Sequence, residues 1–229
     1  MPRFRSFFVA LLAFGVWFTQ SPAFASTLQL RTTWDLQALS LTGWADGSHH
    51  GRWTSTYNGY GYNGIGLDGT HVLVERPKQS LRPSVTHASL VTSRASYGDT
   101  DLTVRVRTVR QLRLPAPNPW EVGWTLWHYT NDTHFYYLVL KPNGWELGKE
   151  DPAYPGAQRY LRTGSSPTFA VGKWHTMHIR QVGNVITAWA DGVRLASFTD
   201  RQRPYSTGHV GLYDEDSLVH FDTVTVRAP

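Results

Sequence analysis

Apolar and polar positions alternate along much of the chain. Leu102-Thr103-Val104-Arg105-Val106-Arg107 puts its aliphatic residues on one side of an extended strand and both arginines on the other. Residues 122–130 and 135–141 are aromatic and β-branched runs, and the turn-forming trio Asn131-Asp132-Thr133 between them makes a hairpin. Pro142-Asn143-Gly144 supplies a second turn, since Asn-Gly takes the positive φ of a tight connection, and leads into Trp145-Glu146-Leu147. Residues 174–182, 185–190 and 193–198 are joined by Gly183-Asn184 and Asp191-Gly192 and read as a three-stranded meander. Two short strands, 209–213 and 219–226, close the chain around Asp214-Glu215-Asp216.

The stretch 44–69 reads differently. Asp46-Gly47, residues 57–64 and Asp68-Gly69 are too rich in Gly and Asn for a long strand, so loops carrying tyrosines are expected there. No segment sustains a 3.6-residue period. The pattern therefore predicts an all-β chain, a two-sheet antiparallel β-sandwich of the jelly-roll kind, and the lack of a fixed repeat argues against a propeller.

The chain ends refine this picture. Arg3 and Arg5, an apolar run from Phe7 to Phe18 and Ala23-Phe24-Ala25 form the three parts of a secretory leader in order, so residues 1–25 are expected to be removed and 26–229 to form one sandwich domain. The apolar run is short for a bilayer crossing, so no stable membrane insertion is expected after cleavage. The expected location is secreted or periplasmic. Without the two leader arginines, 22 basic residues become 20 against 17 acidic ones, a weak excess with no basic run interleaved with aromatics, which disfavours nucleic acid. No cysteine is present, so stability must come from the core, with or without a metal. Nine of the 10 tryptophans and all 11 tyrosines follow residue 25, and part of that aromatic surface is expected to face a ligand.

From about residue 100 to 226 the chain resembles the concanavalin A-like lectin and glucanase superfamily. The resemblance rests on Gly172-Lys173-Trp174-His175, the meander through Asp191-Gly192, Gly208-His209-Val210-Gly211-Leu212-Tyr213 and Val219-His220-Phe221-Asp222. Within it the chain looks closest to the 3-keto-disaccharide hydrolase domain, related in fold to family 16 glycoside hydrolases. That domain commonly carries a Tyr-Glu-x-Gln-type strand, to which Trp145-Glu146-Leu147-Gly148 is similar, with Gly148 in place of the amide. The resemblance implies a concave sheet that holds sugar and a structural calcium near the chain ends, with Asp35 and Asp222 as its candidate ligands.

Glycoside cleavage needs two flanking carboxyl groups. Glu146 is the first candidate, with Lys149 beside it in the cleft. Glu146 and Glu150 share a strand face, but four strand rises separate their Cα atoms by roughly 13 Å, too long for a retaining pair, so Glu121 or Glu75 is the expected partner. The Glu-x-Asp-x-x-Glu cluster of family 16 is absent. Trp124 and Trp127 should face opposite ways, with Trp127 and Tyr129 on the ligand face and His128, Trp145 and Arg159 completing the sugar contacts. The rival readings are charged strand ends paired in water, aromatics packed between the sheets and half-buried histidines, and for His175 and His178 opposite facing excludes a one-strand metal pair. The arginines of 105–113, with Arg159 and Arg162, leave an acidic glycan open.

Two functions fit: a hydrolase or lyase acting on a poly- or oligosaccharide, or a non-catalytic carbohydrate-binding module of the same fold. A structural envelope protein would leave the loop tyrosines unexplained. Sugar, linkage and oligomeric state stay open.

Overall fold

The computed structural model describes residues 31–229, so the leader segment 1–25 lies outside the described residues. In chain order the strands are β1 (Arg31–Trp34), β2 (Gly43–Trp44), β3 (His49–His50), β4 (Trp53–Tyr57), β5 (Tyr62–Asp68), β6 (Thr70–Arg76), β7 (Ala88–Tyr97), β8 (Thr100–Gln111), β9 (Gly123–Asn131), β10 (His134–Lys141), β11 (Gly144–Glu150), β12 (Gln158–Gly164), β13 (His175–Val182), β14 (Val185–Ala190), β15 (Val193–Thr199), β16 (Gly208–Glu215) and β17 (Ser217–Arg227). They form two antiparallel sheets. The front sheet runs β12-β11-β10-β9-β16-β7-β4-β3, and the back sheet runs β15-β14-β13-β8-β17-β6-β5-β2 with β1 added against β17.

The predicted hairpins and meander form at the expected turns, because the alternation that separates apolar from polar residues also decides which face each sheet turns inward. Leu102, Val104 and Val106 of β8 meet Tyr136, Leu138 and Leu140 of β10 in the core between the sheets. A second apolar cluster, with Trp124, Leu126, Tyr137 and Val139, lies on the outer face of the front sheet.

The glycine-rich stretch 44–69 is corrected in part: it holds β4 and β5, and the expected loops shrink to short turns such as the one that carries the exposed Tyr60. The glycines fit the ladder because neighbours come too close for a side chain. A Cβ on Gly64 would lie 2.3 Å from the Thr42 carbonyl oxygen, and one on Gly66 would lie 2.7 Å from Val74 Cγ2. Close approach is what Gly64 and Gly66 provide within the strand, while Gly47, Gly59 and Gly69 take the positive φ of the turns between strands.

Candidate functional site

Strand parity builds the site. On β11, Trp145, Leu147 and Lys149 point between the sheets, while Glu146, Gly148 and Glu150 emerge on the outer face of the front sheet. On β10 the outer set is Phe135, Tyr137, Val139 and Lys141. Cross-strand register places Glu146, Val139, Trp124 and Tyr213 in one row, followed by Gly148, Tyr137, Leu126 and Gly211 in another.

A groove of about 630 Å³ lies over these rows. Asp132, Glu146, Glu150 and Glu215 bring four carboxyl groups to it. Trp120, Trp124, Phe135, Tyr160 and Tyr213 supply its aromatic surface, with Trp120 and Tyr160 largely exposed at the rim. Such a mix of flat apolar faces and a few convergent polar groups suits a saccharide.

The carboxyl groups are not equivalent. Lys141 Nζ donates to Glu146 Oε1. Glu150 is pushed up to about 7, first by burial and then by the charge of Glu215. Burial also raises Glu215, opposed by the Tyr213 hydroxyl, which donates to Glu215 Oε1 at 2.7 Å, and aided by the charges of Asp216 and Glu121. Asp132 accepts from Tyr129 Oη at 2.8 Å. Gln158 links the rim to the floor, donating to Tyr137 Oη and accepting from Tyr160 Oη, each at 3.0 Å. The groove thus holds a carboxyl group that is part protonated near neutrality and, elsewhere along its length, a second one also raised by burial, groups able to give and take protons.

Several residues expected in the cleft lie elsewhere. Lys149 is fully buried between the sheets, where Nζ donates to Asp200 Oδ2 at 2.8 Å and to the carbonyls of Gln202 and Arg203. It faces away from Glu146 because it is of opposite parity. Glu121 is buried, ion-paired to Arg113 and bonded by the Asn118 backbone N–H at 2.9 Å. Trp145 packs in the core and donates to the Ser166 carbonyl. Arg159 pairs with Asp200 at 3.2 Å and lies over the Tyr154 ring, away from the lining of the groove.

Trp127 and Tyr129 separate. Trp127 is in the core, stacked on Tyr136 and donating to Gln181 Oε1 at 2.7 Å, whereas Tyr129 joins the outer cluster. The cause is His128, which adopts φ 51°. There the ladder with β16 steps from Tyr129↔His209 to Leu126↔Gly211, three residues against two, so the bulge inverts the facing of the residues beyond it. His128 is buried, its two ring nitrogens each 2.9 Å from a carbonyl oxygen, of Tyr205 and of Gly98.

The Asp35 and Asp222 pair does not fit calcium. Asp35 Oδ1 accepts from the Gln37 backbone N–H at 2.9 Å as a helix cap, and Asp222 is ion-paired to Arg105 at 2.9 Å. Both carboxyl groups are thus already engaged, one by a backbone N–H and the other by a guanidinium.

Glu215, like Asp132, is a groove carboxyl not expected from the sequence. Its position in an acidic run suggested a loop, but it ends β16, and parity aims it outward.

Residues 38–227 match the model of a family described as the 3-keto-alpha-glucoside-1,2-lyase-like domain. No curated protein matches the chain by sequence. Among solved structures, carbohydrate-binding module CBM66 from Bacillus subtilis is 15% identical over 76% of this chain and 93% of its own, with a TM-score of 0.55. A family 16 endo-glucanase from Bacteroides ovatus is 12% identical over 76% and 94%, with a TM-score of 0.51. SCLam, a non-specific endo-beta-1,3(4)-glucanase from family 16, is 11% identical over 86% and 89%, with a TM-score of 0.55. These likenesses show the fold alone, a two-sheet jelly roll shared by a carbohydrate-binding module and two glucanases.

Proposed function

Since the chain belongs to the 3-keto-alpha-glucoside-1,2-lyase-like family, we propose that it cleaves a glycosidic bond of an oligo- or polysaccharide held in the groove over the front sheet. The observation that carries this reading is the pair Glu150 and Glu215, the first lifted to about 7 partly by the second. Burial raises both carboxyl groups, and the Tyr213 hydroxyl, by donating to Glu215, opposes the rise there and favours that group as the base. Glu150 gives its proton to the departing glycosidic oxygen, and Glu215, oriented by Tyr213, acts as the base. In a 1,2-elimination from a 3-keto sugar that base removes the proton next to the carbonyl; in hydrolysis it activates water. Glu146 and Lys141 bind sugar hydroxyls, while Trp120 and Tyr160 cover apolar sugar faces. The leader pattern of residues 1–25 supports work outside the cytoplasm, secreted or periplasmic.

A second reading, a binding module without catalysis, is favoured by the absence of the Glu-x-Asp-x-x-Glu cluster. One experiment separates the two. Chromatography of products from 3-keto-glucosides and unmodified glucans, with calorimetric binding on the same panel, is run for the natural sequence and Glu150→Gln. Cleavage that falls about 10²–10⁴-fold in the variant, with binding kept, supports the enzyme. Binding without cleavage by the natural sequence overturns it in favour of the module.

A further inference from the structure

Behind the groove, at the end of the sandwich where Asp214 lies, the interior is polar. Asn63 and Glu75 are direct cross-strand partners on β5 and β6, and Ser89 and Asp214 are direct partners on β7 and β16 of the facing sheet. All four residues are fully buried. Glu75 follows Leu73 on the inward side of β6, and Asp214 follows Leu212 on the inward side of β16, so the two carboxyl groups meet across the gap between the sheets.

The hydrogen bonds leave a specific set of atoms unused. Asn63 Nδ2 donates to Ser55 Oγ at 3.1 Å and to the Tyr57 carbonyl at 2.9 Å, which fixes the amide and leaves Oδ1 free. Asp214 Oδ2 accepts from Ser217 Oγ at 3.0 Å, and Oδ1 is free. Among the described residues, both Oε atoms of Glu75 and Ser89 Oγ also lack a hydrogen-bond partner. Arg113, the buried guanidinium of this region, is engaged by Glu121 and Asp216.

Two carboxylates closed off from water without a cation are costly. The unused atoms are all oxygens, two of their four residues are carboxylic, and no nitrogen or sulfur donor joins them. Such a set selects a hard divalent ion over zinc or copper. Calcium accepts irregular cages of mixed carboxylate, amide and hydroxyl oxygens, whereas magnesium demands near-octahedral order and retained water. We infer that Glu75, Asp214, Asn63 and Ser89 hold one calcium ion between the two sheets, tying β5 and β6 to β7 and β16.

The test uses the full chain as produced in calcium-containing medium, passed over chelating resin and never unfolded. Elemental mass spectrometry is expected to count about one calcium per chain. The melting temperature in calcium should exceed that in excess EDTA by at least about 4 °C. Glu75→Gln should lose the ion and make melting insensitive to calcium. Should that variant fail to fold, Ser89→Ala keeps both carboxyl groups and should weaken calcium binding on the order of tenfold. A chain that carries no metal or a different one, or an infrared band of protonated carboxyl at neutral pH that disappears in Glu75→Gln, overturns the proposal.

Discussion

Glu146 and Trp124 flank Val139 from opposite sides in one row of the front sheet. Two strand spacings, about 9–10 Å, therefore separate a carboxyl group from an indole on the same face, the width of a sugar ring with its hydroxyls. The groove is a consequence of register, so substitutions that leave the ladder intact can separate binding from stability.

Trp120 tests binding alone. Its ring is 42% exposed at the groove rim, so removing it leaves the core untouched. Trp120→Ala should weaken saccharide binding about two- to tenfold, or about 0.5–1.5 kcal/mol, with the melting temperature unchanged. Titration calorimetry beside thermal melting reads both quantities, and equal affinity would remove Trp120 from the sugar contacts.

Gly148 tests the floor. A Cβ there would lie 2.3 Å from Tyr137 Cζ and Oη, so the ring occupies the space that a side chain at this position would need. Gly148→Ala should cost about 1–3 kcal/mol in urea unfolding. A neutral result would mean that Tyr137 moves aside freely.

Glu150 sets a pH dependence. Its carboxyl group is lifted from an ordinary value of 4.5 to about 7, so the folded state keeps a proton that the unfolded chain releases earlier. Below about pH 4.5 both states are protonated and nothing is lost; as pH rises from there to about 7 the folded state loses stability, and the loss is complete above. Glu150→Gln should remove this slope, seen as melting curves of the two proteins that coincide in acid and diverge toward neutrality. Cleavage should also decline as pH rises through about 7, since the acid loses its proton.

Lys149 is structural. It bridges Asp200 and two carbonyls with no exposure to solvent. Lys149→Met leaves Asp200 to Arg159 and Tyr136 and strips the Gln202 and Arg203 carbonyls of their donor, which should cost about 1–3 kcal/mol by urea unfolding, whereas a loss of cleavage at full stability would return Lys149 to the chemistry.

The two sheets, the hairpin at Asn131-Asp132-Thr133 and the closing meander were legible because side-chain direction in a strand has a period of two, and that period is written in the residues. Glu146 was legible for the same reason. Parity distinguishes two faces of a strand without saying which one a second sheet will cover, and this is why Lys149 and Trp145 could be placed beside Glu146 and yet lie behind it. A single backbone angle at His128 then put Trp127 and Tyr129, expected on one face, on opposite faces, since a bulge is a property of the ladder rather than of the local pattern.

What the sequence by itself determined is the alternation, and with it the sandwich and the family. Only the tertiary structure decided that Glu150 and Glu215 share a groove while Glu75 and Asp214 share the interior. Strands distant along the chain become neighbours through sheet order and stacking, and the resulting loss of water around each carboxyl group, which sets its protonation, has no signature in the residues next to it.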